Sequence, residues 1–598
     1  MDTIGIIDFG GQYAHLIGNR IRRLGVYSEV LLPETPIKQL AVFKGLIFSG
    51  GPRSVYEEGA PTIDKKVFKL GLPILGLCYG HQLIAHLLGG KVSPGKTKEY
   101  GLADLQVLKQ VGIFKGVSSP TRIWMSHGDT VSTLPADFVA LGKTEDCEYA
   151  AMGNPAKKIF SAQFHMEVTH TIEGMKMLEN FLRLCQVKRE WSTGRFLKQK
   201  IEESKRIIGK RKVFLLISGG VDSTVAYALL VKAVGADRVH GLFVDTGFLR
   251  QNEGKKIIAA LKKIGVKNFH SWSAGKEFFA ALKDVSNPEE KRKIIGDLFL
   301  KVQADAVAKL KLNPHEWILG QGTIYPDTIE SAGTKYADRI KTHHNRVPEI
   351  TLLIRQGKVV EPLSAFYKDE VRQLGHKLGL PDDIVWKHPF PGPGLAVRIL
   401  CAQKETWPAQ VSDVEESLSH FLQPYHLSGK ILPVQSVGVQ GDARTYRNPL
   451  ALFGPLSSFE NLERLSTALT NRCWEINRVC LLLTPDQIKA IKILPGTLTP
   501  KRVKLLQKLD EIVMNFIHEH HLQREMWQFP TVLIPVSING VKREAVILRP
   551  VCSEEAMTAN FYKMPQALLE KLTKELSPHV SAVLYDITNK PPATIEWE

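Results

Sequence analysis

Short apolar runs alternate with stretches of helical spacing along the first part of the chain, and turn residues close each run. TIGIID (3–8), GLIFS (45–49), PILGLC (73–78) and IFSAQF (159–164) are the clearest of these runs. They read as buried strands of a parallel sheet with crossover helices between them. The pattern restarts at VFLLIS (213–218) and continues through VHGLFVD (239–245) and HEWILGQG (315–322). Five glycines and prolines crowd the seven residues of HPFPGPG (388–394) and end it. The pattern therefore predicts an α/β chain. Two doubly wound parallel-sheet domains, 1–188 and 189–394, precede an α+β domain over 395–598.

The last segment repeats itself. ILPVQSVGVQGDARTYRNPLALFGP (431–455) is echoed by VLIPVSINGVKREAVILRP (532–550), and LTNRCWEINRVCLLLTP (469–485) by LTKELSPHVSAVLYDIT (572–588). Each copy reads strand, strand, helix, strand, which predicts a duplication over about 395–500 and 501–598. Two copies paired within one chain would occupy the surface that a two-fold-related subunit uses. The expected state is a monomer, with a homodimer as the alternative.

Composition narrows the class. A chain of 598 residues is too long for one hydrophobic core. No window is apolar enough for a membrane helix, and MDTIGIIDFGGQ lacks the basic start of a secretory leader. Seven scattered cysteines without a C-x-x-C pair predict a reduced, cytoplasmic protein without a zinc site. The net charge of +17 fits an anionic small substrate, because no nucleic-acid-binding motif accompanies it. Much of the excess lies in 186–212, which reads as a solvated linker helix.

Candidate chemistry lies at strand ends. Gly76-Leu77-Cys78-Tyr79-Gly80 sits between an apolar strand and the helical HQLIAHLL. Small residues two positions either side of a nucleophile allow a sharp strand-to-helix turn. Such a turn exposes the sulfur at a helix N-terminus, which lowers a thiol pKa. His165 follows another strand and is the candidate base, with Glu167 to orient it. The Tyr79 amide and the Gly50-Gly51 turn are candidate oxyanion donors. G-x-C-x-G, S-G-G-P and F-H-x-E in this order resemble the class I glutamine amidotransferases over about residues 1–185. Ser126-His127-Gly128-Asp129 matches a segment that lies near the glutamine pocket in that family.

Ser218, Gly219, Gly220, Val221, Asp222, Ser223 and Thr224 follow a strand and open a helix. Paired glycines let backbone N–H groups approach phosphate oxygens, and hydroxyls add donors at a helix N-terminus. The loop is not of the Walker type. It resembles the pyrophosphate loop of the ATP pyrophosphatase family, which implies ATP as substrate and Mg²⁺ with it. Lys341 in KTHHN is implied to reach the ATP phosphates, and SAGTKYADRI before it reads as a lid.

The order of these modules, with GLCYGHQ, SGGVDST, YPDTIES, HPFPGPG, VGVQGDARTY and KPPATIEWE, resembles the glutamine-hydrolysing GMP synthase family over nearly the whole chain. The resemblance implies three small-molecule substrates: glutamine, ATP and xanthosine monophosphate (XMP). Arg292 in EEKRKIIGD, Asp442 in VGVQGDARTY, Gln528 in MWQFP, and Lys590 and Glu596 in NKPPATIEWE are implied to hold XMP. No specific nucleic-acid or membrane partner is expected. The alternative is another glutamine-dependent ATP pyrophosphatase. An NAD synthetase-like enzyme would need a nitrilase-type glutaminase, and a tRNA-modifying one sulfur-transfer cysteines or an RNA module.

Overall fold

Strands of the first segment form where apolar runs are buried on both faces, as a parallel sheet under helices requires. In chain order they are β1 (Thr3–Ile7), β2 (Tyr27–Leu31), β3 (Gly45–Phe48), β4 (Ile74–Leu77), β5 (Lys91–Val107), β6 (Thr121–Thr133), β7 (Val139–Lys143), β8 (Ala151–Asn154) and β9 (Ile159–Ala162). The computed structural model describes the chain except residues 12, 264, 310–314, 333–356, 441–442, 456–457 and 554–558. It divides into two units, one of 1–203, 323–356 and 361–374, the other of 204–322, 357–360 and 375–598.

In the first unit the strand order is β2-β1-β3-β4-β9-β8-β7-β5-β6. The five strands from β2 to β9 run parallel. The remaining pairs are antiparallel, so this sheet is mixed rather than doubly wound throughout. The reason is connection length. The turns joining β7, β8 and β9 are too short for a crossover helix and can only reverse the chain. In β6 the alternation that buries Ile123 and Met125 gives way to the polar run from Ser126 to Thr130, and β5 is largely polar, which hid both strands from the sequence reading.

One buried cation anchors the later segments of this unit. Arg22, on the helix Ala14–Arg23, pairs with Glu370 at 3.2 Å and donates to the Ala365 carbonyl at 2.7 Å. Its guanidinium also lies 4.6–5.1 Å from the ring centres of Tyr27, Trp191, Tyr325 and Tyr367. Removing one partner of such a pair would strand a charge at a cost of several kcal/mol. The basic linker is a helix, Thr193–Ile208, but not a freely solvated one. Its Phe196 is buried against Trp191 at 4.7 Å and Phe366 at 5.0 Å.

The second unit opens with β10 (Lys212–Leu216), β11 (Val239–Asp245), β12 (Asn268–Ser273), β13 (Trp317–Gly320) and β14 (Val359–Val360). They form a wholly parallel sheet in the order β12-β11-β10-β13-β14.

Eleven further strands follow: β15 (Ser428–Ile431), β16 (Ser436–Gln440), β17 (Ala443–Phe453), β18 (Ile476–Thr484), β19 (Ile491–Ile493), β20 (Thr531–Ile534), β21 (Val536–Ile538), β22 (Ala545–Leu548), β23 (Val551–Cys552), β24 (Asn560–Phe561) and β25 (Val583–Asp586). The main tail sheet runs β15-β17-β18-β25-β22-β20, with β16 on β17. At its centre Asp586 is fully buried. It accepts from Arg478 at 2.9 Å, Arg549 at 3.2 Å and the Trp597 indole at 3.0 Å. These bonds fix the terminal peptide to the sheet. Among the described residues no helix is long and apolar enough to cross a membrane.

Candidate active sites

In the first unit, β3, β4 and β9 deliver their C-terminal ends side by side, where α/β sheets bind ligands. Cys78 follows β4 with φ +51°, a conformation costly for a residue with a side chain. The surrounding close packing imposes it. A Cβ on Gly76 would come within 2.5 Å of the Gly80 carbonyl, and one on Gly80 within 2.4 Å of the Phe48 carbonyl. The small positions of the G-x-C-x-G motif are thus sterically required. The helix Tyr79–Leu87 begins directly after the cysteine.

His165 faces Glu167 Oε1 through Nδ1 at 2.7 Å, and the Cys78 side chain lies near enough to raise its pKa. All three residues are buried. Burial works against the imidazolium, but the Glu167 carboxylate and Cys78 outweigh it and push His165 up to about 10. Gly50 lies beside the pair: a Cβ there would sit 3.3 Å from His165 Cε1 and 3.7 Å from Cys78 Cβ.

The sequence reading missed three supports. Gln163 Nε2 approaches Cys78 Sγ at 3.7 Å, the Tyr13 ring meets the His165 ring edge-on at 4.8 Å, and Arg20 Nε donates to the Glu167 carbonyl at 2.8 Å. Only Gln163, adjacent to the F-H-x-E motif, gave a signal.

A second Cys–His–Glu set, Cys147, His127 and Glu99, has its side-chain ligand atoms within 4.8 Å of one another. It is not arranged for nucleophilic catalysis. His127 Nε2 faces Glu99 at 3.0 Å and Nδ1 faces the Asp129 carbonyl at 2.9 Å, so neither ring nitrogen is left to take a thiol proton. Burial also pushes the Cys147 thiol up to about 11.

In the second unit the loop between β10 and the helix Val221–Val234 is shaped by its own hydroxyls. Ser218 Oγ lies 3.1 Å from Ser223 Oγ, and Thr224 donates to the Gly220 carbonyl at 2.9 Å. Gly219 has φ +77°, and a Cβ there would strike Ile257 Cδ1 at 2.1 Å. Val221 is buried at the start of the helix, and Asp222 lies in its first turn. Lys387, which the sequence reading passed over, donates to the Gly219 carbonyl at 3.0 Å and pairs with Glu253 at 2.5 Å. Its place just before HPFPGPG was the one available signal. Lys341 lies outside the described residues.

The residues matched to XMP gather only in part. Gln528 donates to Glu596 Oε1 at 2.8 Å, and Arg398 grips the same carboxylate at 2.8 and 3.0 Å. Arg292 donates to the backbone carbonyl of Glu598 and pairs with Glu289 at 2.6 Å. Glu289 also receives Arg444 at 2.6 Å and Tyr446 at 2.9 Å, gathering three donors on one carboxylate. Lys590 exchanges backbone hydrogen bonds with Ala559, at the start of the terminal loop that carries Glu596. Asp442 lies outside the described residues.

A cysteine–histidine–glutamate site and a phosphate-type loop in one chain define a glutamine-dependent ligase. Comparison with known proteins agrees segment by segment. Residues 5–185 match the class I glutamine amidotransferase family, 192–295 the NAD synthase family and 515–597 the GMP synthase C-terminal domain. The chain is 47% identical over 604 residues to a probable glutamine-hydrolysing GMP synthase of Leptospira interrogans, covering 100% of this chain and 99% of that one. It is 37% identical to the glutamine-hydrolysing GMP synthase of Aquifex aeolicus, covering 99% of each. The chain belongs to the glutamine-hydrolysing GMP synthase family. The full-length agreement sets aside the NAD synthetase-like alternative, since the NAD synthase match spans only the phosphate-loop region.

If His165 is the acid that protonates departing ammonia, its raised pKa sets the alkaline limit of glutaminase activity. Replacing Glu167 by Gln should draw the alkaline limb of glutaminase kcat/KM down from about pH 10 towards the ordinary histidine range. The rate should fall by up to about 10⁴. A pH–rate series measures both, and an unmoved alkaline limb would contradict the assignment of Glu167.

Proposed function

We propose that the chain makes GMP, AMP, pyrophosphate and glutamate from XMP, ATP, glutamine and water. The carrying observation is the Cys78–His165–Glu167 geometry at a strained strand end, in a chain that also holds the 218–224 loop. Cys78 passes its proton to His165, and its sulfur attacks the glutamine amide carbon. Tyr79 and Gly50-Gly51 supply backbone donors to the developing oxyanion. His165 protonates the departing ammonia, and water then cleaves the thioester to give glutamate.

Residues Ser218 to Thr224, with Lys341, hold the ATP phosphates at the helix start. The xanthine O2 attacks the α-phosphorus and pyrophosphate leaves; ammonia then displaces AMP at C2. Mg²⁺, when bound with ATP, neutralises charge on the phosphates. Asp222 and the loop hydroxyls offer oxygen donors, the type that Mg²⁺ selects. Arg292 and Lys590 suit the XMP phosphate, while Gln528, Asp442 and Glu596 suit the base and ribose. Three domains, 1–188, 189–394 and 395–598, accommodate these roles. Seven free cysteines fit a reducing cytoplasm.

The tail reads as an internal duplication. The helix Phe459–Arg472 crosses from β17 to its parallel neighbour β18, and Gln566–Leu576 crosses likewise from β22 to β25. An antiparallel β15 flanks the first pair and an antiparallel β20 the second. The halves meet through antiparallel β18 and β25, as across a two-fold axis. With that surface filled from within, the protein should be a monomer.

Cys78→Ala should abolish glutamine-dependent GMP formation and leave synthesis from ammonium largely intact. Asp222→Ala or Ser223→Ala should reduce both by about 10²–10³. Equal loss of both activities in the Cys78 variant, or normal ammonium turnover in the loop variants, defeats the division of labour.

Light scattering coupled to size exclusion should give 66.8 kDa at micromolar concentration. A stable species of twice that mass would overturn the internal-dimer reading.

A further inference from the structure

Lys291 stands one residue before Arg292 on the helix Pro288–Lys309 and, unlike Arg292, is fully buried. Its ammonium donates to both carboxylate oxygens of Glu598, at 2.7 and 2.8 Å, and to the Ile399 carbonyl at 3.0 Å. These partners lie 307 and 108 residues away along the chain. An ammonium has three N–H groups, and three acceptors use them all. Lys291 therefore keeps no donor for a ligand. Its charge is met by a carboxylate buried almost as deeply as itself.

Each partner adjoins a polar group of the candidate nucleotide site. Arg292, the next residue on the helix, donates to the Glu598 backbone carbonyl. Arg398, next to Ile399, grips the Glu596 carboxylate, which also accepts from Gln528 at 2.8 Å. Glu596 itself stands two residues before Glu598. One buried cation thus joins the three segments that carry Arg292, Arg398 and Glu596. We propose that Lys291 and Glu598 are positioning residues for XMP: their ion pair fixes the spacing between Arg292 and the Glu596–Gln528 pair. The proposal rests on the reading of Arg292, Gln528 and Glu596 as XMP groups given above.

Other contacts of this helix cannot set that spacing as firmly. Ile295 and Val302 pack it into the core, but apolar contact is non-directional and leaves register to polar pairs. The bonds from Arg444 and Tyr446 to Glu289 also join the helix to the tail. The Arg444 and Glu289 side chains are about half exposed, at 47% and 50%, where water and salt weaken an ion pair. The Lys291–Glu598 pair is shielded from both, and breaking it strands a charge.

Steady-state kinetics on the full-length protein, with ammonium as nitrogen donor, test this. Glu598→Gln keeps the side-chain shape but turns one acceptor into a donor that faces the Lys291 ammonium. Its KM for XMP should rise about tenfold, the scale of one charge-assisted hydrogen bond. The KM for ATP, and kcat at saturating XMP, should stay within about twofold of wild type. Loss of folded protein would lower kcat and leave both KM values alone, so a merely structural role does not give this split. The double variant Lys291→Met, Glu598→Gln removes both charges and strands neither; it should show the same split, and it stands in if the single variant does not fold. An XMP KM within about twofold of wild type, or equal rises for XMP and ATP, in whichever variant folds, overturns the proposal. Failure of both variants to fold would make the pair structural only and overturn it equally. Glu596→Gln is assayed alongside: if its XMP KM does not rise, the XMP-site reading has failed instead.

Discussion

A charge taken out of water without a partner costs several kcal/mol, and both candidate sites are built under that constraint. Glu167 is buried where His165 meets it, and the half-buried Glu99 meets His127 and Thr144. In the second unit Glu596 answers Arg398, Lys387 answers Glu253, and Asp586 answers two arginines. Each pair pins a backbone segment along with the side chains. The terminal peptide shows this most fully: Arg478 also donates to the Val437, Thr594 and Glu596 carbonyls, so the loop that carries Glu596 is held by the charge at the sheet centre. Polar recognition groups and the hydrophobic core are thus specified together.

Backbone geometry is the other half of the arrangement. Cys78 occupies a conformation a side chain disfavours, and Gly76 and Gly80 bring the strand and helix close enough to hold it there. Gly219 plays the comparable part in the phosphate loop, with Ile257 filling the space a side chain would need. In both places a strand ends, a sharp turn follows and a helix begins. One turn presents Cys78, the proposed nucleophile, and the other the loop proposed to cradle phosphate.

The strands that carry chemistry were legible because burial on both faces leaves uninterrupted apolar runs; β11 was read to the residue. The β5–β6 pair was not, because polar residues such as Glu99 and His127 interrupt the alternation that buries Leu105, Ile123 and Met125. The Cys–His–Glu order was legible from motif spacing. Arg20, Tyr13 and Lys387 were not, since each reaches its site from far along the chain and nothing in the local sequence marks the contact. The strand–helix–strand order proposed as a duplication was faintly legible from apolar patterning. The topology has the matching order on either side of β18 and β25 because strand sequence tolerates wide substitution while pairing geometry does not.

The central claim is that one chain activates the purine oxygen with ATP and then replaces it with ammonia from glutamine. Turnover of XMP labelled with ¹⁸O at the C2 oxygen, followed by mass spectrometry of the products, tests it directly. Adenylation at that oxygen predicts that the label leaves with AMP, one atom per GMP formed, with none in pyrophosphate. Label in pyrophosphate, or GMP formed with unlabelled AMP, would contradict the account.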